Sequence, residues 1–245
     1  MRNERLARGW QSCRGELTGY LRRLVAREDV AEELAQQAAL RMLEAEGAPE
    51  APGDLRAWLF RVATNLAVDH LRRHSTWREE VLERTRGRCE RDEAFLAESS
   101  LLRGSPEMKS IAREHLAVCL ACTLRNLRPE ESAALLLREV HGFTVEETAR
   151  LLDASFGQAK GWIQSARAGL SDRYGRTCAL VAKEGACFQC VELDRFFGAG
   201  AGDPLAGTAR DLDARLAILR ENRETPLGRW HRRMMQLVDE VLEGS

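Results

Sequence analysis

The stretch His141–Arg173, HGFTVEETARLLDASFGQAKGWIQSARAGLSDR, decides the fold, because it reads as two short helices around a tight turn. Val145, Ala149 and Leu152 recur at helical spacing and leave Glu146, Glu147 and Arg150 for the outer face. Thr144 followed by Glu147 has the Ser/Thr-x-x-Glu form of a capping box, which starts the first helix there. Asp153-Ala154-Ser155-Phe156-Gly157 then breaks the pattern with turn formers and a glycine. The second helix places Ala159, Ile163, Ala166 and Leu170 on one face. Its other face carries Gln158, Lys160, Gln164 and Arg167, which reach phosphates or base edges. Ala149 is small, so the two helices can cross closely. An ordinary helical hairpin with a solvated polar face fits the same pattern, so the flanking sequence has to separate the two.

Composition narrows the class. Aromatic residues are 6 % of the chain, Ala, Leu, Arg and Glu are abundant, and alternating β-branched runs are nearly absent. These features predict an all-α protein. A chain of 245 residues has room for two small domains and a further segment. The uncharged apolar runs are too short to span a bilayer, and MRNERLARGW has no apolar core behind its charges. A cytoplasmic protein with no membrane partner is expected. The formal net charge is −1, which leaves nucleic-acid binding to local clusters. Such clusters stand at Arg72-Arg73-His74 and from Arg167 to Arg176.

Periodicity divides the chain. Residues 6–74 form a first domain, in which Leu17, Leu21, Leu24 and Val25 mark one amphipathic helix and Val30, Leu34 and Ala38 a second. The run Glu46–Asp54, with two prolines and two glycines, is a loop, and Asp54 is the expected N-cap of a helix from Leu55 to Arg73. Trp58, Leu59, Val62, Leu66 and Leu71 should lie on or near its apolar face. Residues 75–110, dense in Arg and Glu, read as a linker with some helix. Residues 111–176 form a second helical domain around the quoted stretch, and 177–245 an extension. In the extension, Gly198–Pro204 is a loop. Leu212, Leu216 and Leu219, then Trp230, Met234, Leu237, Val238 and Val241, predict two amphipathic helices.

LRPEESAALLLREVHGFTVEETARLLD followed by GQAKGWIQSARAGL resembles domain 4 of the extracytoplasmic-function (ECF) sigma factors of bacterial RNA polymerase. Upstream, EDVAEELAQQAALRML and LRAWLFRVATNLAVDHLRRH resemble the two signature helices of sigma domain 2. Two motifs in the family's order, on either side of a polar linker, are far more specific than one. The resemblance implies a non-enzymatic partner of core RNA polymerase that reads promoter DNA, with room for a separate anti-sigma factor.

The resemblance also implies roles for residues. Arg61, Asn65, Arg72 and Arg73 stand on the helix that engages the minus-ten element, where a base is unstacked and cations follow the displaced strand. Trp58 reads as packing, and Asp69 as a group that orients a basic neighbour. On the preceding helix, Glu33 and Gln36 match positions facing the polymerase clamp, while Ala39 replaces a common aromatic. Gln158, Lys160, Trp162, Gln164 and Arg167 would read the minus-thirty-five element, the helix entering the major groove near its N-terminus. Trp162 and Ser165 stand where the family is usually basic. Trp162 then packs either on a sugar edge or on the C-terminal segment.

Seven cysteines are many for a reducing compartment and point toward metal or redox chemistry. Cys13 and Cys89 stand alone and read as incidental. Cys119 with Cys122, and Cys187 with Cys190, form two C-x-x-C pairs, the set of four thiolates that structural zinc uses. An iron–sulfur cluster takes the same ligands. His115 and Cys178 are reserve ligands. The first pair also sits in an apolar stretch, HLAVCLACTLRNL, where cysteine is an ordinary small core residue. Two other function classes compete: a helix-turn-helix regulator without a sigma role, and a thiol oxidoreductase, for which no βαβ pattern surrounds either pair.

Overall fold

The computed structural model describes residues 2–74, 84–85, 87–102, 114, 123–124, 127–177, 211–224 and 228–243. Among them there is no strand, as expected of an all-α chain. The chain divides into two compact units, one of residues 1–75, 127–166 and 223–225, the other of residues 76–126, 167–222 and 226–245.

The first unit is built on α1 (Arg2–Val25), α2 (Glu28–Glu44) and α3 (Pro52–His74), which pack mutually. Leu17, Leu21, Leu24 and Val25 are all buried on α1, and Leu34 and Ala38 on α2. Between α1 and α2 the chain reverses through Ala26 at φ 54°, whose N–H returns to the Arg22 carbonyl at 2.9 Å. A left-handed residue closing a helix in this way satisfies one of the orphan carbonyls.

The start of α3 differs from expectation. The helix begins at Pro52, so Asp54 lies inside its first turn and is not the N-cap. Proline has no N–H to leave unsatisfied and its φ is already helical, which favours it at the first position, while Asp54 complements the helix dipole. The buried stripe of α3 also differs. Leu59 and Leu71 are buried, but with Leu55, Phe60, Ala63, Thr64, Ala67 and Val68, whereas Trp58, Val62 and Leu66 are half-buried. The helix is covered on more than one side, because α5 (Pro129–Leu135) and α6 (Val145–Leu151) pack on it as well as α1 and α2. The buried arc is therefore wider than a one-sided amphipathic pattern predicts.

Between α5 and α6 lies one π-helical turn, Leu136–Val140, then Gly142 at φ 75°. After α6 comes α7 (Phe156–Thr177). In the second unit α4 (Glu93–Leu102) falls within the stretch expected to be a linker with some helix. The extension supplies α8 (Leu212–Glu221) and α9 (Arg229–Glu243), the two amphipathic helices expected there. Leu216, Leu219, Trp230, Met234, Leu237 and Val238 are buried. Phe95 of α4 stacks on Trp230 of α9 with ring centroids 5.2 Å apart, and Asp92 pairs with Arg233. Among the described residues no helix is long and apolar enough to cross a membrane.

An alanine in the left-handed region carries a steric cost of about 1–2 kcal/mol that glycine does not. Ala26→Gly should therefore raise the stability of the first unit by about 0.5–1 kcal/mol, after allowing for glycine's greater freedom when unfolded. The urea midpoint checks this, and a fall in midpoint would refute it.

Candidate nucleic-acid interface

Both helices of the pair, α6 and α7, start in a reciprocal capping box. Thr144 Oγ1 accepts from the Glu147 N–H at 3.1 Å, and Glu147 Oε2 accepts from the Thr144 N–H at 2.7 Å. Ser155 and Gln158 do the same for α7, at 3.2 and 2.9 Å. This second box is an unforeseen use of Gln158: its Oε1 caps the helix, and its amide nitrogen is the group left to donate outward. Asp153 holds the turn at φ 49°, a conformation that a short polar side chain tolerates.

Ala159, Ile163, Ala166 and Leu170 of α7 are buried as their spacing predicts. Opposite them Gln158, Lys160 and Gln164 are exposed, Trp162 is half-buried, and Gly157 and Gly161 face open space. Two glycines on the outer face of a helix let a backbone approach a phosphate or groove wall closely.

The outward side of α3 carries Arg61, Asn65, Arg72 and Arg73, all exposed. Two of the arginines hold carboxylates of the 127–166 segment: Arg61 pairs with Asp153 at 2.6 Å and Arg72 with Glu130 at 2.7 Å. Asp69 lies 3.8 Å from Arg72, the orienting place expected of it. In the second unit Arg167 of α7 pairs with Asp213 of α8 at 2.6 Å. Exposed pairs of this kind contribute about 0–1 kcal/mol, so a phosphate can replace the carboxylate at little cost.

The first unit also holds a partly buried joint, and nothing in the spacing marked it. Arg56 of α3 donates to both oxygens of Glu16 on α1, at 2.8 and 2.7 Å, and to the His141 carbonyl at 2.8 Å. His141 Nδ1 is 3.0 Å from Glu16 Oε1, and the imidazole is fully buried. The guanidinium lies 4.3 Å from the Phe143 ring centre and 5.0 Å from that of Phe60. Tyr20, Phe60, His141 and Phe143 form one aromatic cluster with centroids 5.1–5.3 Å apart. Burial opposes ionisation of Glu16, but Arg56 and His141 outweigh it and bring the carboxyl down to about 2. Burial lowers His141, so it is neutral and donates from Nδ1 to Glu16.

On α2, Glu33 and Gln36 are exposed, and Glu33 accepts from Gln37 at 3.0 Å. The same face continues through Leu40 and Leu43, which are 57 % and 49 % exposed. These two leucines were missed, although they fall off the Val30–Leu34–Ala38 stripe. Apolar side chains in line with polar ones on an outer face fit a partner surface better than a solvated one.

Comparison with known proteins decides between a sigma factor and a plain helix-turn-helix regulator. The sigma-70 region 2 family matches residues 10–76, and sigma-70 region 4 matches residues 117–170. A regulator with only a helix-turn-helix has no reason to carry the first. The ECF RNA polymerase sigma factor SigX of Bacillus subtilis is 25 % identical over 149 residues, 59 % of this chain and 71 % of its own length. The ECF sigma factor SigE of Mycolicibacterium smegmatis is 28 % identical over 61 % of this chain and 54 % of its own. The ECF sigma factor BldN of Streptomyces coelicolor is 30 % identical over 58 % and 49 %. The chain belongs to the ECF sigma factors. It spans about half the length of the second and third of these relatives.

Region 2 of the sigma factor contains α2 and α3, and region 4 contains α5, α6 and most of α7. Sigma factors are initiation factors and not enzymes, which agrees with the reading of the motifs. Cys119, Cys122, Cys187 and Cys190, with His115 and Cys178, lie outside the described residues. Among the described residues no group of three His, Cys, Asp or Glu side chains is gathered for a metal. Cys13 and Cys89 are buried free thiols, and burial first of all raises both, Cys89 to about 12. Neither is poised as a thiolate.

The joint makes the sigma factor sensitive to acid in a defined order. His141 is lowered from 6.5, so its contribution is complete above that value and is lost as pH falls below it. Glu16 is lowered from 4.5, so its contribution is lost between 4.5 and about 2. Stability of the first unit should fall in two stages on acidification, and Glu16→Gln should abolish the second while costing about 3–5 kcal/mol at neutral pH. Denaturant unfolding at a series of pH values measures both, and an unchanged pH profile in Glu16→Gln would refute the assignment.

Proposed function

We propose that this ECF sigma factor joins core RNA polymerase through the outer face of α2, reads the minus-thirty-five element with α7, and opens the minus-ten element along α3. The observation that carries the reading is the pairing of Arg61, Arg72 and Arg167 with Asp153, Glu130 and Asp213 on exposed surface. A cation meant for phosphate is best held in reserve by a weak carboxylate partner that DNA can displace. Asn65, Arg73, Gln158, Lys160, Trp162 and Gln164 complete the DNA surfaces. Glu33 and Gln36, with Leu40 and Leu43, form the polymerase surface. The protein acts in the cytoplasm, and an anti-sigma protein is a further partner of the same surfaces.

Lys160→Ala and Arg167→Ala test the DNA reading. Each should weaken promoter binding of the holoenzyme by about 1–3 kcal/mol if it reads a base, or lower the salt slope by about one if it neutralises a phosphate. Unchanged transcription from a cognate promoter in the double variant would remove both residues from the interface.

The extension beyond residue 177 regulates this activity, and Cys119, Cys122, Cys187 and Cys190 bind one structural zinc. The support is chemical: two C-x-x-C pairs supply the four thiolates of a tetrahedral site. An iron–sulfur cluster is the alternative occupant. Metal binding would share its free energy with folding of the extension. Elemental analysis of protein purified without oxygen should find one zinc per chain, lost in Cys187→Ser. Metal-free wild-type protein would refute the site.

A further inference from the structure

One face of α1 holds a stretch of chain two hundred residues away. Arg23 Nη1 donates to the Arg223 carbonyl at 2.6 Å and to the Gly19 carbonyl at 2.7 Å. Arg23 is 7 % exposed; burial first, and Arg22 second, bring its guanidinium down to about 10. A Cβ at Gly19 would overlap the Arg223 carbonyl, and a Cβ at Gly15 would stand 3.6 Å from a Glu224 oxygen. Arg223 Nε lies 3.8 Å from Glu16 Oε1. Glycine in a helix interior sacrifices about 1 kcal/mol relative to alanine. At Gly19 the absent side chain is what admits the backbone of residue 223. Cradle and occupant belong to the same compact unit.

We propose that Gly15, Gly19 and Arg23 of α1 form the docking site for residues 223–224 of the C-terminal extension, and that the docked turn opposes separation of regions 2 and 4. The recognition is of backbone: a buried cation and a glycine select a carbonyl. The docked turn reaches Glu16, the same carboxylate that joins α3 through Arg56 and the segment after α5 through His141. Undocking therefore removes a cation from the side of the joint that region 2 and region 4 share. This part of the inference rests on the reading of the chain as a sigma factor whose extension regulates it.

Gly19→Ala in the full-length protein is the test, because alanine favours the helix while blocking the carbonyl. Amide hydrogen exchange at residues 223–224 should accelerate about tenfold or more, with the interior of α1 still protected. Purified core polymerase should bind the variant more tightly than the parent. Arg23→Met, which removes the donor, should act in the same direction. Arg223→Ala keeps the carbonyl and should leave exchange unchanged. Unaltered exchange in Gly19→Ala, or undocking by Arg223→Ala, would overturn the cradle. Faster exchange with unaltered affinity for core polymerase would overturn the opposition to opening. If neither parent nor variant binds core polymerase, the sigma reading itself fails, and the exchange result still decides the docking.

Discussion

The Glu16 carboxylate is the constraint on which the first unit depends. It sits on α1, receives the fork of Arg56 from α3, and receives the imidazole of His141 from the segment between α5 and α6. Placing an anion where it is largely shielded from water carries a desolvation cost, and its donors offset that cost. The donors come from elements distant in sequence, so the ion is satisfied only when those elements are together. Around it Phe60 and Phe143 flank the guanidinium and Tyr20 closes the far side. Apolar burial supplies attraction between the elements, and the charged joint specifies one arrangement among the many that apolar burial would permit.

The exposed arginines obey the opposite rule. Arg61, Arg72 and Arg167 are paired where water reaches them, so their pairs are weak and exchangeable. A formal charge of −1 on a DNA-reading chain is consistent with this design. Carboxylates such as Asp153 and Glu130 balance the very cations that phosphate would otherwise recruit. On the proposed reading such a protein has little long-range attraction for bulk DNA, and its affinity would be realised once polymerase presents two weak surfaces to one promoter.

Much of this was legible in the sequence, for identifiable reasons. The Thr144–Glu147 box and the stripe from Ala159 to Leu170 depend only on local spacing, which the sequence prints directly. The helices of the extension followed from the same rule. The stripe of α3 was read too far toward Trp58 and Val62, because periodicity locates one buried face and cannot announce a second neighbour covering Phe60 and Ala63. Aspartate favours a cap, so local preference alone puts the N-cap at Asp54, but Pro52 two residues earlier favours the helix start more strongly. The Ser155–Gln158 box is harder to read, because glutamine on an exposed recognition helix reads first as a DNA contact.

The joint itself was illegible for a deeper reason. His141, Arg56 and Glu16 each sit in an ordinary local context, and only the tertiary fold brings them within hydrogen-bonding distance. The Arg223 contact is hidden further, since its partner is a carbonyl that every residue possesses. What the sequence does carry is the complement: Gly19, deep in a helix that also holds Gly9 and Gly15 among strong formers. At Gly19 the missing side chain marks a place where another backbone comes close. Read that way, Gly19 announces a visitor without naming it, and Arg23 one turn later states that the visitor brings an acceptor.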